Sequence, residues 1–146
     1  MANEMPHSSG FTGLTARTLE YGEAFAGLVE IARARPLTDA DWARFERLVD
    51  VDTYERVGVF LGPAAEVIDW ATYRRYITQY AAGTSWEGTL RHVTEQGNRV
   101  ILELEERNTH SGVVDVSNTV TIYEFDELGR VRHLDVYVMP LEKRRA

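Results

Sequence analysis

Residues 84–146 carry four long β-type runs with almost nothing between them. The runs span residues 86–95, 99–110, 113–125 and 131–139. Only Gln96-Gly97-Asn98, Ser111-Gly112 and Asp126-Glu127-Leu128-Gly129 separate them. Connections that short force each strand back alongside its predecessor, so the C-terminal half has to form an antiparallel meander. A long, twisted meander curls, and its apolar face has to be covered.

The cover lies upstream. From Ala16, the residues Leu19, Phe25, Leu28, Val29 and Ile31 fall near three-and-four spacing. Arg33 and Arg35 occupy the last turn, and Pro36 follows, as expected beyond a helix end. Thr38 caps a second helix whose first turn holds Asp39 and Asp41, where the helix dipole favours negative charge. Trp42, Phe45, Leu48 and Val49 make its apolar stripe, and it is expected to end near Asp50. Residues 52–61 read as a short strand, punctuated by Gly62-Pro63. Asp69 or a neighbour opens a third helix with Trp70, Tyr73, Ile77 and Tyr80 on one face. The fold class is therefore α+β: three helices packed on the concave face of a strongly curved, mainly antiparallel sheet, with room for a pocket between the layers. Residues 1–13 are expected to be a flexible arm, 14–141 a single domain and 142–146 a short basic tail.

Composition narrows the chemistry. The 146 residues contain 16 Lys+Arg and 23 Asp+Glu, a net charge of −7, which argues against nucleic acid as a partner. There is no cysteine, so disulfides, thiolate zinc sites and cysteine nucleophiles are excluded together. His7, His92, His110 and His133 show no ligand spacing, so no metal is expected. No glycine-rich phosphate motif or Gly-x-Ser-x-Gly elbow occurs, and no cofactor is expected. No stretch approaches the ~20 apolar residues of a membrane span, and the polar start lacks a signal-type apolar region. A cytoplasmic location with no membrane partner is the expectation.

Element order, Asp41-Trp42 early in the second helix, and the final hairpin from Tyr123 through Gly129 to Val131, leading into His133-Leu-Asp-Val-Tyr137, give the chain a known shape. Over roughly residues 16–139 it resembles the nuclear transport factor 2-like superfamily. That group includes ketosteroid isomerase, limonene epoxide hydrolase, scytalone dehydratase and the SnoaL-like polyketide cyclases. The resemblance implies a conical cavity for a small, mainly hydrophobic ligand and a homodimer formed through the sheet. It does not select a reaction, because the scaffold serves unrelated chemistries.

Three groups of residues are candidates for that chemistry. Glu103, Glu105 and Arg107 alternate with Val100, Leu102 and Leu104, so one set faces solvent or the cavity and the other does not. On the cavity side Glu105 would be a base and Arg107 an anion holder. The limonene epoxide hydrolases carry Arg-x-Asp where this chain has Glu105-x-Arg107, and Val136 stands where their further Asp would be. Likeness to ketosteroid isomerase places Glu55 near the base position and Thr121 at the position of the protonated Asp. On the last strand His133, Asp135 and Tyr137 alternate with Leu134, Val136 and Val138. His133 and Asp135 are an acid–base pair if inward and part of a dimer face if outward; the hairpin register favours Leu134, Val136 and Val138 inside. Tyr54, Trp70, Tyr73, Trp86, Thr121 and Tyr123 would line a cavity for a flat apolar ligand. Two readings stay open: cofactor-free acid–base catalysis of the isomerase, cyclase, dehydratase or epoxide hydrolase type, or a non-catalytic ligand-binding or dimeric assembly domain.

Overall fold

The computed structural model describes residues 4–146. Three helices, α1 (Gly13–Ala34), α2 (Asp39–Glu46) and α3 (Trp70–Ala81), pack on one sheet. Its strands are β1 (Glu55–Gly58), β2 (Glu66–Ile68), β3 (Ser85–Gln96), β4 (Arg99–His110), β5 (Val113–Phe125) and β6 (Val131–Arg145). The order is β2-β1-β6-β5-β4-β3. Every neighbouring pair is antiparallel except β1 with β6. The sheet is curved and unclosed, and the fold is α+β as expected.

The meander follows the turn chemistry. Gly97, Gly112 and Gly129 each take a positive φ at the strand connections, where a side chain would strain the backbone. Bulges interrupt the register between Leu90 and His92, between Val116 and Ser117, and between Glu124 and Phe125. Each extra residue bends its strand and increases the local twist.

Thr38 caps α2: its N–H donates to the Asp41 carboxylate at 2.8 Å. Arg35 closes on the same carboxylate through two hydrogen bonds of 2.8 and 2.7 Å. α2 stops at Glu46 rather than near Asp50, because the chain beyond it docks on β6. The Val131 N–H donates to Leu48 O at 2.8 Å, and the Asp50 N–H donates to Val131 O at 3.0 Å. The strand expected over residues 52–61 shortens to β1. β2, absent from the sequence reading, pairs back onto it with Val57 opposite Val67.

The basic tail is no separate segment. β6 runs on through it, with Lys143 opposite Asp115 and Arg145 opposite Val113. At the other end, residues 1–3 lie outside the described part, and residues 4–12 have defined partners instead of forming a free arm. The Glu4 N–H donates to Gly88 O at 3.1 Å. Ser8 is buried and donates twice to the Glu23 carboxylate, at 2.8 and 2.9 Å.

The core sits between α1–α3 and the concave face. Phe45 and Ile77 are fully enclosed. Tyr21, Trp70 and Tyr73 meet the Phe45 ring edge-on at centroid distances of 4.7, 5.1 and 6.4 Å, the geometry the ring quadrupoles favour.

Candidate functional site

Strand parity decides which side chains face the helices. On β4 the inward set is Val100, Leu102, Leu104 and Glu106; across the ladder it meets Tyr123, Thr121, Thr119 and Ser117 of β5. On β6 the inward set continues with Leu134, Val136 and Val138, and on β1 with Arg56 opposite Leu134. On β3 it is Trp86, Gly88 and Leu90.

Between these strands and α1 lies a recess of about 300 Å³. Leu102, Leu104 and Leu134 form its apolar floor, α1 contributes Leu19, Tyr21 and Phe25, and Met5, Pro6 and His7 wall one end. A second, wider recess of about 710 Å³ opens toward the far end of β6 and the Gly62-Pro63 loop. The two share Phe25, Arg56, Phe60, Trp86, Glu106 and Val136. These six side chains form a ring between an inner and an outer lobe, and the ring holds one cation and one carboxylate.

Glu106 is held by an indole. Trp86 Nε1 donates to Glu106 Oε1 at 2.6 Å. Gly88, opposite Glu106, makes this possible: a Cβ there would lie 2.7 Å from two atoms of the Trp86 ring. The ring therefore lies flat across Gly88 and reaches the neighbouring strand.

Arg56 is 7% exposed. Its Nη2 donates to Val59 O at 3.1 Å, and its guanidinium lies 4.8 Å from the Phe60 ring centroid and 5.7 Å from that of Tyr73. Its Nη1 is buried without a hydrogen-bond partner, and so is Thr119 Oγ1 at the outer lobe.

Phenols complete the site. Tyr21, Tyr73 and Tyr123 line the inner lobe, and the Tyr21 and Tyr54 hydroxyls share a 2.7 Å hydrogen bond behind it. Burial pushes all four phenols above their ordinary range. Arg56 pulls Tyr73 and Tyr123 back down, and Glu106 pushes both up. At neutral pH all four keep their protons, and Tyr21, Tyr73 and Tyr123 can donate to an oxygen in the recess.

The residues expected from the sequence divide cleanly. Tyr73, Trp86, Thr121 and Tyr123 line the inner lobe. Tyr54 and Trp70 do not: they meet edge-on in the core behind it, with ring centroids 5.0 Å apart. The five candidate catalytic residues all lie on the opposite, outer face. Arg107 Nη1 donates to Glu105 Oε1 at 2.8 Å and to Thr89 Oγ1 at 3.1 Å. The two form an ion pair turned away from the recess, because their parity is that of Ile101 and not of Leu102. Glu55, His133 and Asp135 do come together. His133 Nδ1 is 3.1 Å from Glu55 and its Nε2 is 3.0 Å from Asp135. The cluster is outward because β6 keeps Leu134 and Val136 inside, the alternative the hairpin register favours.

Sequence reasoning missed Glu106 and Arg56, and each had a signal. Glu106 continues the inward series Val100, Leu102, Leu104, so it is the polar member of an apolar alternation. Arg56 shares the parity of Tyr54 across Glu55. Among the described residues no cluster of His, Asp and Glu is arranged to hold a metal ion.

No family model matches the chain, and no curated protein matches it. Solved structures do. A protein of Shewanella putrefaciens labelled a SnoaL-like polyketide cyclase superposes with a TM-score of 0.66 at 11% identity, covering 95% of this chain and 92% of its own. An NTF2-like protein of unknown function from Cytophaga hutchinsonii gives 0.56 at 13% identity over 88% and 91%. An LEH-like epoxide hydrolase of M. tuberculosis gives 0.53 at 14% identity over 78% and 82%. The chain has the nuclear transport factor 2-like fold, in which the helices and the concave face of the sheet enclose the recess described above. Among the described residues no helix is long and apolar enough to cross a membrane.

Proposed function

We propose that the chain binds a small, mainly hydrophobic molecule in this two-lobed recess and acts on it by cofactor-free acid–base chemistry. The observation that carries the reading is Glu106, a carboxylate set in an otherwise largely aromatic and aliphatic ring and oriented by the Trp86 indole. Glu106 takes a proton from a carbon or hydroxyl of the ligand and can return it elsewhere. Protonated phenols of Tyr21, Tyr73 and Tyr123 donate to the oxygen on which negative charge develops. Isomerisation, cyclisation, dehydration and epoxide opening all fit that division of labour. The structural neighbours include proteins labelled as a cyclase and as an epoxide hydrolase, which supports the range without choosing within it. The reading has no nucleic-acid or membrane partner and places the protein in the cytoplasm.

A thermal-shift screen with steroids, polyketides and epoxides tests the binding half: at least one class should raise the melting temperature. For a converted ligand, Glu106→Gln should lower kcat by about 100-fold or more, the usual scale of a positioned acid–base group. Unchanged turnover would remove Glu106 from the chemistry.

A second reading, a dimeric assembly domain, is favoured by the outer face. Tyr137 is 60% and Met139 56% exposed there, beside the partly exposed Ile101. We propose a homodimer through this face; sedimentation should show a dimer that Tyr137→Glu dissociates, and a monomeric wild type would sink it.

A further inference from the structure

We propose that the ligand of this recess is an organic acid: an apolar body in the inner lobe carrying one carboxylate, which seats on Arg56 Nη1. The inference rests on the reading above, that the recess takes a small molecule, and adds the chemical class.

Three observations carry it. First, Arg56 is buried on the concave face, and among the described residues it makes no ion pair. A guanidinium taken out of water without a counter-charge is costly unless something supplies one. Second, the side chain is fixed. One nitrogen is tied to Val59 O and the guanidinium lies against Phe60, so Nη1 is left as a buried donor without a partner on a side chain that lines the recess. A carboxylate is the group that matches a guanidinium fork. Third, the carboxylate in the same ring does not answer that need: Glu106 accepts from Trp86 and, among the described residues, forms no ion pair with Arg56. Thr119 Oγ1, buried and unpartnered at the outer lobe, offers a further hydroxyl to a polar end leaving the ring on that side. The surroundings favour an acid with an apolar body over a small inorganic anion, which would leave Leu102, Leu104 and Leu134 uncovered.

The test uses matched probes. Benzoate, cinnamate and 2-naphthoate are titrated against the intact chain at neutral pH by calorimetry, each beside its neutral primary amide. The expected result is binding of at least one acid about tenfold or more tighter than its amide, the scale of one hydrogen bond to a charged group. Arg56→Met, which replaces the charge by an apolar chain, should erase the acid's advantage, so that acid and amide bind alike. Arg56→Lys serves as the second variant: with the charge kept and the fork lost, it should retain only part of the advantage. Equal binding of acid and amide by the wild type would overturn the anion seat while leaving the apolar recess standing. An acid preference unaltered in either variant would also overturn it, because the carboxylate would then sit elsewhere. Binding of no acid and no amide would overturn the recess reading as well.

Discussion

One position along a strand is the whole thickness of the sheet. Glu105 and Glu106 are covalent neighbours, yet one pairs with Arg107 on the outer face and the other accepts the Trp86 indole inside. Run-on polar sequence, Glu105 to His110, hides which member belongs to which face, and that is why the inward carboxylate was not legible although its strand was. Arg56 was hidden differently, because β1 is too short to show an alternation of its own. His133 and Asp135 were legible as a pair, and their outward direction follows from Leu134 and Val136 being apolar. The start of α2 was legible to the residue. Thr38 and Asp41 form the expected helix start, and the hydrogen bonds from Arg35, then that from the Thr38 N–H, hold the Asp41 carboxyl well below its usual range. A carboxyl so depressed stabilises the fold fully above its unfolded value of about 3.9, and that stability is lost as the pH falls below this toward the folded value. Asp41→Asn should therefore lower the urea midpoint at neutral pH, and the difference from wild type should shrink as the pH drops below about 4. Equal midpoints at neutral pH would contradict the assignment.

At the scale of elements, local chemistry set the four long strands and the three helices, and tertiary contacts set their limits. α2 ends early because backbone hydrogen bonds from Val131 capture residues 48–50. β6 outruns its apolar pattern because β5 offers partners as far as Val113. β2 has only three residues and no periodicity to read. Two glycines show what pattern alone leaves out. Gly58 has φ +149° and a notional Cβ only 2.7 Å from Val136 O, so β1 can lie against β6 only with glycine there. Gly88 is a matter of space: it is the bed on which Trp86 lies. Gly88→Ala should lift the indole off Glu106, changing the tryptophan fluorescence and weakening ligand binding, while costing about 1–3 kcal/mol by overpacking. A variant with wild-type fluorescence and wild-type binding would show that Trp86 is positioned by something else.

For the whole molecule, helices on one face and a curved sheet on the other leave two very different surfaces. The concave one holds the recess, with Arg56 and Glu106 in a ring of aromatic and aliphatic side chains. The convex one holds Glu55, His133, Asp135, Glu105 and Arg107, together with the exposed Tyr137 and Met139. Architecture was legible from the order of periodic segments, because element order and connection length leave few ways to cover a meander. The assignment of chemistry to a face was not, since either face of such a sheet accepts polar residues. The central claim is that ligand chemistry belongs to the concave face. Its most direct test is calorimetric titration of one ligand that binds the wild type into two variants confirmed as folded by circular dichroism. Thr121→Phe fills the inner lobe, and Glu105→Gln breaks the outer ion pair. Binding weakened about tenfold or more in Thr121→Phe and unchanged in Glu105→Gln is the predicted result; the reverse would place the site on the outer face and contradict the account.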